Sequence, residues 1–320
     1  MVNDIFWLER GTLFDPELVT DLINKVQGKS SLAILSKQVP IPFNGLKEFV
    51  FTMDKDIDIV AESGAKGKGG VTLTPQVIVP IKFEYGARIT DEFLYASEEE
   101  QINILKAFNE GFAKKVARGL DLAAFHGVNP RTGQASDVIG NNCFDAAVDQ
   151  VVPATNGLPD PNANMEDAIA LVHASEWDVT GAAISPEFRA ALAAQLDAND
   201  LPMFPELAWG NAPESIKGLP VDVNRTVSDK ATNNARVYVG DFENAFKWGY
   251  AKEIPLEIIK YGDPDNSGLD LKGHNQIYIR AEIYLGWGIL DPDAFAIIVE
   301  QSGQPQVPPQ EEGGPQGEGG

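Results

Sequence analysis

The sequence predicts an α+β chain: one long helix and flanking strands form a framework, interrupted by an acidic α/β insertion. Three observations predict it. Apolar residues recur at helical spacing from Ile102 through Leu105, Phe108, Phe112, Val116 and Leu120 to Ala124, behind the capping box Ser97-Glu98-Glu99-Glu100. Strand patterns lie on both sides of that helix, at 46–90 and again after Lys230. Between them, residues 150–224 carry two basic and eleven acidic side chains, a net of −9, against +3 for residues 25–88.

The first 45 residues read as an arm. Asp15-Pro16-Glu17 supplies an N-cap, a proline at the first helical position and an acidic first turn, followed by Leu18, Leu22, Ile23 and Val26 on one face and a stop at Gly28. The next apolar pieces, LAIL and VPIPF, are short and broken by proline, so the arm is expected to dock outside the subunit. Deleting 1–45 should then leave a soluble subunit. From Leu46 to Thr90 the pattern is that of strands: Phe49 and Phe51, then Ile57 and Ile59 alternate with other positions, and Val77, Val79, Ile81 and Phe83 mark one return run. The glycine-rich stretch 63–70 is the tip of this long hairpin, whose strands reach away from any core and call for cover by a neighbouring chain.

The long helix ends at His126-Gly127, and Gly111 and Gly119 mark places of close packing along it. Residues 128–162, rich in Gly, Asn, Asp and Pro, read as a connecting loop. A helix at 165–175, a buried strand at 179–185 and a second helix from Ser185-Pro186-Glu187 to Leu196 follow. The stretch 200–213, with three prolines and Trp209, reads as a surface loop before the strand LPVDVN. Five strand runs close the chain: ARVYVGDF, 246–250, IPLEIIKYG, NQIYIRAEIYLGWGIL and AFAIIVE. Such an order means either an insertion or two subdomains sharing one sheet. Residues 301–320, dominated by Pro, Gly and Gln, have the composition of a disordered tail.

At 320 residues the chain can bury a core without metal or disulfide staples. Cys143 is its one cysteine, which excludes an intramolecular disulfide and a thiolate zinc cluster within one chain, and reads as a small half-buried residue. No apolar run approaches a membrane span, and the start MVNDIFWLERG lacks the basic-then-apolar pattern of a secretory signal. A net charge of −22 argues against tight wrapping on nucleic acid, although not against enclosing it. Gly64–Gly70 has neither the GxGxxG spacing nor the GK[ST] ending of a phosphate loop, and HExxH and GxSxG motifs are missing. Asp263–Gly268 imitates half a calcium loop, but its twelfth position is His274, so a strand-connecting turn is expected. Asp54, Asp56 and Asp58 read as a solvated strand face. These motifs call for no cofactor and no metal.

The order of parts, closing with GDFENAFKWGYAKEIPLEIIKYG and IRAEIYLGWGILDPDAFAIIVE, resembles the major capsid proteins of tailed bacteriophages over about residues 15–300. The pattern RAE…G…DPDAFA is the most specific part. The resemblance implies the tailed-phage capsid fold: an N-terminal arm (1–45), an extended hairpin loop (46–85), a peripheral domain in two parts (86–127 with the spine helix, and 229–300), an axial domain (128–228) and a tail (301–320). It further implies hexamers and pentamers closing into an icosahedral virion shell around double-stranded DNA, without sequence-specific binding and with no membrane. Assembly in the bacterial host cytoplasm, with a portal and a maturation protease as partners, goes with it. Because only about 15 residues precede the arm helix, a separate scaffolding protein is expected. An encapsulin-like nanocompartment shell is the alternative within this fold, and a soluble α/β enzyme the alternative outside it.

Some members of that family join a hairpin lysine of one subunit to a peripheral-domain asparagine of another, with a glutamate as proton acceptor. By position the resemblance assigns Lys66 or Lys68, Asn275 and Glu282 to these roles, with Ile277, Tyr278, Ile279 and Tyr284 as an apolar setting. The residues also admit plainer roles: Asn275 finishing a turn, Glu282 pairing with Arg280 or a neighbour's cation.

Overall fold

The computed structural model describes residues 30–53, 59–60, 62, 67–228 and 234–301. The expected arm helix at 15–27, the Asp54, Asp56 and Asp58 face, Lys66 and the tail beyond Gln301 lie outside these residues. Ser30 accepts a hydrogen bond from the Ala33 amide and caps the short helix α1 (Ser31–Leu35). Leu32 and Leu35 are buried in the main core, and Ile41 is buried as well. This corrects the expectation for the arm: its second half belongs to the subunit. Five residues cannot hold a helix alone, and this one persists because the body supplies both apolar cover and, in the Asp121 carboxyl, a hydrogen-bond acceptor for its first amides.

Strands β1 (Leu46–Met53) and β2 (Val71–Ile78) pair antiparallel with each other, and β3 (Ile81–Thr90) joins a different sheet. The expected single return run is therefore two strands. The break falls at Val79-Pro80, where proline has no N–H to extend a ladder. Ser97 starts helix α2 (Glu98–His126), its hydroxyl accepting from the Glu100 amide at 3.4 Å, and Gly127 ends it in the left-handed conformation at φ 66°. Gly119 packs as expected, since a Cβ there would stand 3.3 Å from Phe83, whereas Gly111 faces open space.

Beyond α2 come α3 (Phe144–Ala147), β4 (Val151–Ala154), α4 (Pro161–Ala174), β5 (Gly181–Ile184), α5 (Pro186–Ala193), β6 (Ser215–Ile216), β7 (Leu219–Val223) and β8 (Ala235–Gly240). Then follow β9 (Phe246–Ile259), β10 (Gln276–Ile289) and β11 (Phe295–Glu300). The loop expected at 128–162 thus holds a short helix and a strand. A 3₁₀ turn at Pro205–Gly210 presents Trp209, wholly exposed, in the loop expected at 200–213. β9 is one strand where two were expected. Pro255 falls where the β9–β10 register shifts, between the pairs Arg280↔Glu257 and Glu282↔Ile254, and β9 is an edge strand, so the missing N–H interrupts nothing.

Beside the two-stranded β1-β2 sheet, the described residues form two larger sheets: β3-β10-β9, packed on α2, and the six-stranded β4-β11-β8-β5-β7-β6. The second draws β4 to β7 from the insertion and β8 and β11 from the chain's end. Of the two expected topologies, subdomains sharing one sheet is the one realised.

Candidate functional site

Alternation along β10 decides which of the expected residues can meet. Ile277, Ile279, Ala281, Ile283, Leu285 and Trp287 are buried in the core cluster shared with α2. Ile277 and Ile279 therefore cannot line a reactive site on the other face, where Tyr278, Arg280, Glu282 and Tyr284 lie.

On that face Glu282 is 9% exposed, with Lys82 Nζ 2.5 Å and Arg280 Nε 3.3 Å from its Oε1. Glu84 stands directly opposite Glu282 in the β3–β10 register, and Lys82 lies 3.5 Å from Glu84. Two facing carboxylates repel, and the lysine set between them offsets that repulsion. Its hydrogen bond to Glu282 in turn raises the Lys82 pKa. Arg280 was foreseeable from sequence; Lys82 was not, because the contact depends on strand register.

Asn275 is exposed and follows the 3₁₀ turn Lys272–His274 in the left-handed conformation, φ 54°. Its carbonyl accepts a hydrogen bond from the Asp91 amide at 2.9 Å. It does finish a turn. Asn275 and Glu282 are separated by roughly 23 Å of extended strand, so one chain does not bring them together. Lys68 is exposed on the hairpin, and Lys66 lies outside the described residues.

The loop at 263–268 holds an arginine in place of a cation. Arg88 Nη2 donates to Asp263 Oδ1 at 2.6 Å, Asp265 Oδ1 at 2.5 Å, Ser267 Oγ at 2.5 Å and the Leu269 carbonyl at 2.9 Å. The guanidinium raises its own pKa by this pairing and holds Asp265 well below the ordinary carboxylate range. It fastens the end of β3 to the β9–β10 connection.

Two polar junctions that no motif announced tie α2 to its surroundings. Asp121, wholly buried, accepts from Ser30 Oγ, from the amides of Ser31 at 3.0 Å and Leu32 at 3.4 Å, and from Thr226 Oγ1 at 2.8 Å. Burial pushes its pKa up to about 6, partly countered by those hydrogen bonds. One turn on, His126 sets Nδ1 2.7 Å from Asp145 Oδ2 and Nε2 2.9 Å from the Thr226 carbonyl, while Tyr238 donates to Asp145 at 2.5 Å.

The glycines of the GWG run have a packing reason. A Cβ on Gly288 would stand 2.7 Å from Ile78, one on Gly286 would stand 3.1 Å from Ile41, and one on Gly249 would meet the Val39 carbonyl at 1.7 Å. The arm and the hairpin base lie flat on β9 and β10 because these positions have no side chain. Trp287, between the two glycines, points into the core.

The groups brought together are thus ion pairs, caps and close backbone contacts that hold the hairpin base and the arm onto the two sheets and α2. That is the build of a structural subunit. The sequence matches the phage capsid family over residues 10–299. A solved structure from Mycobacterium phage Ogopogo is similar at 31% identity and TM-score 0.72, covering 85% of this chain and 92% of that one. Another from Gordonia phage Cozz is similar at 25% identity and TM-score 0.71, covering 86% and 87%. The capsid of an empty GTA particle computed with C5 symmetry shares the fold at 17% identity and TM-score 0.58, covering 86% and 90%. No curated protein matches the chain. The chain belongs to the phage capsid family. It is a major capsid protein with the tailed-phage capsid fold, a structural component of the virion shell and not an enzyme.

Proposed function

We propose that copies of this chain assemble as hexamers and pentamers into an icosahedral shell enclosing double-stranded DNA. The hairpin carries the reading. Among the described residues β1 and β2 pair with each other alone, and a two-stranded sheet is marginal in water. Ile59, Val60, Val77 and Val79 along it are exposed, which calls for cover from neighbouring subunits. The net charge of −22 suits a wall that holds DNA without adhering to it. Scaffolding protein, portal and maturation protease are separate partners in this reading, and assembly takes place in the bacterial cytoplasm. Size-exclusion chromatography and negative-stain microscopy of the purified chain test the shell. Nuclease-protected DNA in native particles supports a virion, and a protein cargo without DNA supports the encapsulin-like alternative.

The same reading extends to a covalent bond between subunits. The neutral Nζ of Lys66 or Lys68 attacks Cγ of Asn275 on another copy, the new C–N bond forms, and ammonia leaves with the proton that the amine gives up. Glu282 relays that proton. Given the strand length between them, the glutamate comes from a different copy than the asparagine. Boiling expanded shells in SDS should give a ladder above 34.6 kDa that Asn275→Ala removes. A single monomer band overturns the bond.

A further inference from the structure

In a chain with 47 Asp and Glu against 25 Lys and Arg, one face of α2 reverses the sign. Residues 101–136 hold five basic side chains, Lys106, Lys114, Lys115, Arg118 and Arg131, against Glu110 and the buried Asp121. All five are exposed, and no ion pair among the described residues involves any of them. Gly111, Lys114, Lys115 and Arg118 stand at i, i+3, i+4 and i+7, a single stripe of roughly 10 Å on the side of α2 away from Phe112, Val116 and Leu120 in the core. Pro130 packs on Gly119, 3.4 Å from where a Cβ would stand, which brings the loop that carries Arg131 back beside the stripe. Gly111 is a second observation. A glycine inside a helix costs about 1 kcal/mol relative to alanine, and the space where its Cβ would stand is open, so no packing within the subunit calls for it. Exposed large apolar side chains stand at Ile104 and Val138 and at no described position between them.

We propose that this face of α2 rests against the phosphate backbone of the enclosed double-stranded DNA. The inference rests on the shell reading and names the part of the subunit that meets the nucleic acid. Lysine and arginine side chains position a protein on phosphates without reading sequence, which is the chemistry the stripe presents. A protein partner fits less well. Interfaces between proteins bury an apolar centre and are poor in lysine, whereas this stripe sets three cations beside a glycine with no large exposed apolar side chain among them. Gly111, lacking a side chain, lets a rod-shaped polyanion come down onto the helix backbone. Lys114, Lys115, Arg118 and Arg131 make four such contacts per subunit, set in a chain of net charge −22. The face thus holds the DNA locally while the rest of the wall repels it, so the contact spaces the outermost DNA from the shell without fixing it.

The test uses DNA-filled native particles. A photoreactive p-azidophenylalanine replacing Ala107, exposed and one turn before Gly111, keeps every cation of the face, and a control places it at Trp209, exposed on the acidic insertion. After irradiation and digestion with nuclease and protease, mass spectrometry should find nucleotides bonded to the peptide around Ala107 about tenfold more often than to the peptide around Trp209. Lys114→Gln, Lys115→Gln, Arg118→Gln and Arg131→Gln together should leave the subunit's unfolding temperature and the yield of shells unchanged, because these side chains are exposed and outside the ion pairs. The same variant should bring the Ala107 adduct down to the level of the control. Gly111→Glu, which sets a carboxylate in the stripe, should do so through one position. Equal adducts at the two positions, or an Ala107 adduct that the neutral variant leaves unchanged, overturns the proposal. An adduct to another copy of the chain or to a separate acidic protein, or loss of shells in the neutral variant with a normal melt, overturns it as well, since the face is then a protein interface. DNA-filled particles that give no nucleotide adduct at Ala107 contradict this face alone, whereas particles without nuclease-protected DNA contradict the shell reading on which it rests.

Discussion

One carboxylate, on Asp121, joins three parts of the chain: α2, which carries it, the arm helix through Ser30, Ser31 and Leu32, and the link into β8 through Thr226. Its pKa of about 6 in the fold exceeds its ordinary 3.8, so the folded state binds the proton more tightly than the unfolded chain does. Its contribution is therefore fully favourable below about pH 4 and is lost as pH rises to about 6. Burial raises Asp222, hydrogen-bonded to Ser31 Oγ at 2.5 Å, in the same direction. Urea melts of the subunit from pH 4 to pH 7 should show a decline that Asp121→Asn flattens, on the order of 2–3 kcal/mol for a shift of about two units. An unchanged profile in the variant would place the titration elsewhere. The caps at Ser97 and Ser185 were legible in the sequence because their partners lie three residues away. Asp121 was not, since its partners are about 90 and 105 residues distant.

The elements most legible in the sequence were those whose stabilising pattern is local: α2, with its cap, its apolar stripe and its glycine stop, and the buried runs of β8, β10 and β11. Elements set by distant contacts were misjudged. α1 looked too short to fold because the acceptor for its first amides comes from α2 and its apolar cover from α2, β5 and β7. β4 hid in a loop-like composition because its order comes from parallel pairing with β11. Gly249 shows how such contacts constrain an element. The arm crosses β9 there, with the Val39 amide 2.8 Å from the Trp248 carbonyl and the Ile41 amide 3.3 Å from that of Tyr250. Gly249→Ala should push the arm off, at a cost of about 1–3 kcal/mol. Hydrogen exchange at Val39 and Ile41 should quicken while the β9–β10 amides stay protected; equal protection in the variant would mean that the arm tolerates the methyl group.

For the whole molecule, residues 31–41 of the arm count as part of the folded subunit. Removing residues 1–29 should leave a cooperative thermal melt. Removing 1–45 also strips Leu32, Leu35 and Ile41 from the core, at about 1.5–3 kcal/mol each, comparable to the stability of an entire domain. That longer truncation should yield unfolded or aggregated protein by circular dichroism. Charge acts at the same scale. In the proposed shell the +3 stretch at 25–88 and the −9 insertion are expected to attract across neighbours, with exposed pairs worth about 0–1 kcal/mol each but repeated over a shell. Raising salt should separate subunits, seen by light scattering, well below the temperature at which calorimetry shows them unfold. Dissociation and unfolding rising together would contradict this.

Central to the proposed shell is a self-supporting body that carries a hairpin covered by its neighbours. Replacing residues 50–73 with a short Gly-Ser turn retains Gly45 and Ile78, and with them the packing of the hairpin base on Gly286 and Gly288. Analytical ultracentrifugation of that variant is the most direct measurement. A folded species sedimenting as a single subunit, with no shells at concentrations where the unaltered chain assembles, is the predicted result. Shells of normal size, or a subunit that no longer folds, would contradict it.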